Sequence, residues 1–207
     1  MTETVAGIEY LKPIVALTLS TPEVAISNNA KICYGTKGDK DITSQLVHGH
    51  GHLAALRFAY ATVSVENISV ACQNQVVRSK HLDFMVQSKR YVNADKGEFK
   101  FIYPDAMPGT STEAMKVHWD TSVALYQRLI SEGVKKEDAR AILPANTSTK
   151  MNITGNLQAW WSFFVLRMNN HAQDEVRTLA ITIFDILATT YPKVFTEEVR
   201  ASMLTGK

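Results

Sequence analysis

Apolar positions change period near the middle of the chain. Ile14 to Leu19 is a short β-branched run that closes at Ser20-Thr21-Pro22, which predicts a strand and then a turn. Glu23 to Tyr34 reads as a helix, residues 35–41 as a polar connection, and Thr43 to Val47 as the start of another helix. His48-Gly49-His50-Gly51-His52 is a loop, because two glycines in five residues oppose a regular element. Tyr60 to Val65 alternates and predicts a strand. Ser69 then suits the N-cap of a helix running through Ala71 and Cys72 to Val77. Gln87 to Val92 and Lys100 to Tyr103 read as further short strands. Beyond them the spacing is helical. Thr110-Ser111-Thr112-Glu113 is a capping box and Gly133 a helix-ending glycine, so one long helix covers 111–132. Lys136 to Leu143 makes a shorter helix stopped by Pro144, and Asn156 caps one through Trp160 and Trp161 to Leu166. Ala172, Val176, Leu179, Ala180, Ile183 and Leu187 line the face of a last helix that ends before Pro192. The pattern predicts an α+β fold: one helix-rich domain over residues 1–207, with a small mixed or antiparallel sheet.

Composition narrows the class. With 207 residues, 45% apolar and 20% charged, the chain has the means to bury one sizeable core. Its net charge of +2, from 22 basic and 20 acidic residues, argues against a nucleic-acid surface that works by bulk charge. Any anion site is local. Cys33 and Cys72 are too few for a disulfide framework, and no apolar run approaches the roughly 20 residues needed to span a bilayer. The expectation is a cytoplasmic protein without a membrane or nucleic-acid partner.

The chemistry-bearing residues cluster at Arg78-Ser79-Lys80 and, after seven intervening residues, at Ser88-Lys89-Arg90-Tyr91. Guanidinium forks match phosphate oxygens two at a time, so cations interleaved with hydroxyls suit a phosphorylated ligand. The plain alternative is a set of solvated cations at a helix end, where positive charge is favourable. Gln75, one helical turn before Arg78, adds a further donor. A second group is Arg140-Ala141-Ile142-Leu143-Pro144; a third is Leu166-Arg167 with His171-Ala172-Gln173 and Glu175. His48, His50 and His52 alternate, but their glycine-broken stretch lacks a carboxylate or thiolate at metal-ligand spacing, so a cofactor-contacting loop is the better reading and no metal is expected. Cys72 reads as a buried small hydrophobe and Cys33 lacks an activating partner, so neither suits a nucleophile. Trp160, Trp161, Phe163 and Phe164 suit core packing better than a ligand platform, and Glu137 and Asp138 read as first-turn helix charges.

These blocks, in this order, resemble the flavin-dependent thymidylate synthases. That family shows Arg-His-Arg, seven residues, then Ser-x-Arg-Tyr, which Arg78, Ser88, Arg90 and Tyr91 match. Gly51-His52, Ala139 to Pro144, Asn156-Leu157 and the Leu166-Arg167 block follow the family pattern too. The resemblance implies a homotetramer that binds FAD at subunit contacts. It methylates dUMP at C5, with methylenetetrahydrofolate as carbon donor and NADPH as reductant. It further implies that Gln75, Arg78, Ser88, Arg90, Arg140 and Arg167 hold dUMP, with Arg78 and Arg167 in catalytic roles. His52, Arg78, Lys80, Asn156 and His171 would face the FAD.

Several positions depart from the pattern. Ser79 stands in place of a His and Lys80 in place of an Arg, so one bidentate fork is lost. Val86 replaces a Glu or Gln and Ala54 a small hydroxyl residue. Arg57-Phe58 replaces a Glu-His pair, and Gln158 stands where an Arg is common. Two alternatives therefore stand beside thymidylate synthesis. One is a related C5 modification of a pyrimidine deoxynucleotide, such as hydroxymethylation. The other is a non-catalytic flavin- or nucleotide-binding homologue.

Overall fold

A computed structural model describes residues 3–5, 8–35, 38–91, 99–105 and 109–206. The chain begins with β1 (Glu3–Val5) and β2 (Ile8–Tyr10), an antiparallel pair in which Thr4 faces Glu9. Then come β3 (Ile14–Ser20), α1 (Val24–Tyr34), β4 (Tyr60–Ser69), α2 (Val70–Val76) and β5 (Asp83–Val86). The second half holds α3 (Gly109–Ser131), α4 (Lys136–Ala139), β6 (Ser148–Asn156), α5 (Leu157–Arg167), α6 (Asp174–Thr190) and α7 (Glu197–Thr205). Four strands form a sheet in the order β3-β4-β6-β5. Its pairings run in opposite directions: Thr18 reaches Thr62 while Thr21 reaches Tyr60, and Thr62 meets Thr154 while Val70 meets Thr147. The fold is α+β with an antiparallel sheet, as the pattern predicts.

Residues gather into two compact units. The first comprises Met1–Ile14, Glu66–Gln75 and Met85–Met151; the second comprises Val15–Val65, Val76–Phe84 and Asn152–Lys207. In the first unit, α3 buries Tyr126 against Phe99 and Ala139, with Trp119, Leu129, Ile130 and Val134 around them. Its end is set by Gly133 at φ 87°. The Gly133 N–H donates to Ile130 O (3.0 Å) and the Val134 N–H to Leu129 O (3.0 Å), the paired bonds that only a left-handed residue allows here.

The second unit is organised by α5 and α6. Trp160, Phe163, Phe164 and Phe184 are buried, and Phe164 meets Phe184 edge-on with ring centroids 5.2 Å apart. The Trp160 indole N–H donates to Ala61 O (3.1 Å) and so ties α5 to β4. These aromatics are core, and Trp161 stacks on Phe195. Asn156 caps α5 as its position predicts, its Oδ1 accepting from the Ala159 N–H (2.9 Å).

Several elements differ from the sequence pattern. The expected strand at Gln87 to Val92 lies earlier, at Asp83–Val86; residues 87–91 form loop and turn, and Val92 lies outside the described residues. Lys100 to Tyr103 contributes an isolated bridge, Phe101 to Thr147, instead of a strand. The helix expected from Thr43 is a wide π turn, Gln45–Gly49, which takes in His48. The helix over Lys136 to Leu143 breaks after Ala139 into a 3-10 turn, Arg140–Ile142. Strand β6 and helix α7 have no counterpart in the sequence reading. Yet β6 does alternate, with Thr149, Met151 and Ile153 buried and Lys150 and Asn152 exposed.

Candidate active site

The strongest grouping of cations lies in the first unit and is built by a local turn. Ser88 Oγ accepts from the Arg90 N–H (3.3 Å), and Ser88 O accepts from the Tyr91 N–H (3.2 Å). This hydroxyl turn is the physical content of the Ser-x-Arg spacing, because it folds the segment so that Lys89 and Arg90 project from one bend. The Arg90 guanidinium pairs with Glu137 Oε2 at 2.8 Å. Arg140 Nε donates to the backbone oxygen of the same Glu137 at 3.1 Å. Arg90 and Arg140, 50 positions apart in sequence, thus share one residue at the start of α4. Glu137 is more than a helix-start charge: it is the counter-ion of the cluster, a role its position in sequence gives no sign of.

Lys89 completes the group. Its ammonium lies 5.0 Å from the centroid of the Phe99 ring and donates to Ser148 O (3.4 Å). Burial, and secondarily the charge of Arg140, pulls its pKa down to about 8. The resemblance gives Lys89 no role, since it occupies the variable position of the motif. Gln75 lies half-buried on α2 of the same unit.

The remaining expected residues belong to the second unit. Arg78 and Lys80 are exposed in the turn after α2. Between them Ser79 is 8% exposed, and its hydroxyl has no hydrogen-bond partner among the described residues. The buried Thr43 and Thr149 hydroxyls are in the same state, and a ligand is one partner such a group can take. Arg167 is the half-buried last residue of α5.

His52, Asn156 and His171 border three different clefts. His52 lies in an apolar cleft of about 390 Å³ with Ile32, Cys33, Tyr34, Leu46 and Phe58. Its Nδ1 is 2.5 Å from the Tyr34 hydroxyl and the two rings stack, their planes 11° apart. Asn156 lies in a cleft of about 430 Å³ with Arg57, His81, Gln158, Ala159 and Ser162. His171 faces a third, of about 330 Å³, lined also by Asn169, Asn170 and Met203. The other loop histidines are used locally: His48 Nε2 lies 2.9 Å from Lys193 O.

An antiparallel α+β chain with a cluster of cations and separate apolar and polar clefts is suited to anionic and aromatic ligands. A family model described as "Thymidylate synthase complementing protein" matches residues 14–193, and the chain belongs to that family. Among its relatives is a flavin-dependent thymidylate synthase of Geobacter sulfurreducens, 29% identical over 187 residues, covering 84% of this chain and 81% of the relative. Those of Pyrococcus furiosus and Saccharolobus solfataricus bear the same name. The first is 33% identical over 72% of this chain, the second 28% over 84%. The matched stretch spans 64% of the Pyrococcus protein and 71% of the Saccharolobus one.

Proposed function

We propose that this chain is an FAD-dependent thymidylate synthase that methylates dUMP to dTMP, with methylenetetrahydrofolate as carbon donor and NADPH as reductant. The observation that carries the reading is the meeting of Arg90 and Arg140 on Glu137, with Lys89 within the electrostatic reach of Arg140, in a chain of this family. A nucleotide monophosphate carries nearly two charges at neutral pH. Each charge-assisted bond to it nets about 1.5–3 kcal/mol. On this reading the phosphate takes the place of the Glu137 carboxylate on Arg90. Gln75 and Ser88 would supply further contacts, and Arg78 and Arg167, from this subunit or another, would act on the pyrimidine. There they stabilise the electron-rich ring as the new bond forms at C5.

The donor set fits a flavin dinucleotide. The Tyr34–His52 stack and Phe58 offer a flat apolar wall. The Asn156 cleft offers a guanidinium and amides, and the orphaned Ser79 hydroxyl offers a buried polar atom. When bound, the flavin supplies the hydride. His52, Lys80, Asn156 and His171 would orient it and keep water from it. Because three of these residues border different clefts of one chain, the reading favours a homotetramer whose sites form at subunit contacts, each subunit serving as one domain over residues 1–207.

The test is tritium release from C5-tritiated dUMP with FAD, NADPH and methylenetetrahydrofolate present, followed by identification of the product. We expect dTMP, no release from Arg78→Ala or Arg167→Ala, and an unchanged circular dichroism spectrum in both. Full release in both variants removes the site assignment; a hydroxymethylated product moves the reading to a related C5 chemistry.

A further inference from the structure

Two of the departures from the family pattern touch each other. Arg57 is the penultimate residue of the 3-10 turn Leu53–Phe58, and its Nε donates to Gln158 Oε1 on the first turn of α5. The resemblance implies an acidic residue at the first position and a cation at the second. Here the cation is on the turn and the neutral amide on the helix. Glutamine accepts from Nε without neutralising the guanidinium, which a carboxylate would do. The remaining four N–H groups of Arg57 are left for other partners, and no carboxylate pairs with it among the described residues.

The cleft beside this contact is about 430 Å³, and neither Asp nor Glu is among its lining residues. His81 is on its wall, in the left-handed backbone region at φ 67°, a conformation that costs a non-glycine residue energy and is found at ligand clamps more often than elsewhere. Asn156 and Ser162 complete the polar lining. A cleft with a forked cation, an imidazole, amides and a hydroxyl, and without a counter-charge, is suited to an anion.

We propose that Arg57, aimed by Gln158, is the anion-gripping residue of this cleft and holds a phosphoester of a nucleotide ligand. The inference rests on the reading of the chain as a flavin and dUMP enzyme. Arg57 binds; Gln158 is a positioning residue that acts through it. Both the flavin dinucleotide and dUMP carry phosphoesters, and the two are told apart by titration.

The experiment measures dissociation constants of FAD, dUMP and riboflavin for the full chain by calorimetry or flavin fluorescence. Arg57→Ala is expected to weaken either FAD or dUMP by about 10- to 100-fold, the equivalent of one charge-assisted bond. Riboflavin, which lacks a phosphoester, keeps its affinity. Whichever nucleotide responds is the ligand of the cleft. Gln158→Ala weakens the same ligand less, and Arg57→Lys restores part of the loss. Arg57→Glu binds worst. The exchanged double variant R57E/Q158R recovers to within about threefold of the wild type. Equal affinity of wild type and Arg57→Ala for both nucleotides overturns the proposal, as does an exchanged pair no better than Arg57→Glu alone. A wild type that binds neither nucleotide overturns the functional reading as well, so the two failures are distinct. Arg57 is exposed, and an unchanged melting temperature in each variant shows that the fold is intact.

Discussion

Lys89 lies over the Phe99 ring and feels the charge of Arg140, and the consequence is a pH-dependent charge in the candidate phosphate site. Its pKa falls from the ordinary 10.5 to about 8, chiefly by burial. Between these values the unfolded chain holds a proton that the folded chain has released, so folding stability rises with pH across about 8 to 10.5. Below about 8 the buried charge is present and its cost is felt in full. A bound phosphate reverses the balance and draws the proton back. Calorimetric titration of dUMP near pH 8, in two buffers of different ionisation heat, should therefore show proton uptake that is absent in Lys89→Met. Asp41 behaves oppositely. Although partial burial works against it, hydrogen bonds from Lys193 and Thr43 hold its carboxyl at about 2. Its stabilisation is present above its ordinary 3.8 and fades as pH falls toward 2. The pair is solvent-screened, so its contribution is small. Asp41→Asn should lower the melting temperature by about 2–4 °C at neutral pH, with the difference closing near pH 2 to 3.

Helix α5 and strand β6 meet at two adjacent residues that carry separate loads. Asn156 closes the first turn of α5 through its side chain and also lines the Arg57 cleft. Asn156→Ala should cost about 1 kcal/mol, read as a fall of about 2–4 °C in melting temperature. Asn156→Asp keeps the cap, since Asp caps as well as Asn. It places a negative charge in the cleft, so stability should hold while binding of the phosphoester ligand weakens. Loss of stability with unchanged binding would show that the residue is a cap and nothing more. Gly155 is set by a close approach: a Cβ there would lie 2.5 Å from Leu82 Cδ2 and 3.3 Å from His81 O. Leu82 is buried and has little room to yield. Gly155→Ala should cost about 1–3 kcal/mol by overpacking and shift His81, which urea titration and nucleotide affinity would both register.

At the scale of the whole molecule, exposed apolar side chains on single helices are the natural material for subunit contacts. Val117 and Leu125 on α3, and Val165 and Leu166 on α5, are each more than two-fifths exposed. The proposed homotetramer predicts a light-scattering mass of four 23.0 kDa chains, with flavin absorbance in the same peak. A monomeric peak that carries flavin would sink the idea of sites shared between subunits. Among the described residues no helix is long and apolar enough to cross a membrane.

Much of this was legible without coordinates, for a local reason. Capping and helix-ending residues act within a few positions, so Asn156 and Gly133 announced helix boundaries that the fold keeps. Helical spacing likewise exposed the core face of α6 at Val176, Leu179, Ala180 and Ile183. The Ser88 turn is equally local. Where tertiary contacts set the answer, the pattern was silent or misplaced: β6 exists because Thr62 and Gln87 supply partners on either side, and the strand near Gln87 ends before it because Ser88 folds the chain away. The pairing of Glu137 with Arg90, the lowered pKa of Lys89 and the contact of Arg57 with Gln158 span 47, 51 and 101 positions between partners. Charge and hydrogen-bonding capacity are written in each side chain, whereas the neighbour that will use them is decided only when distant segments pack.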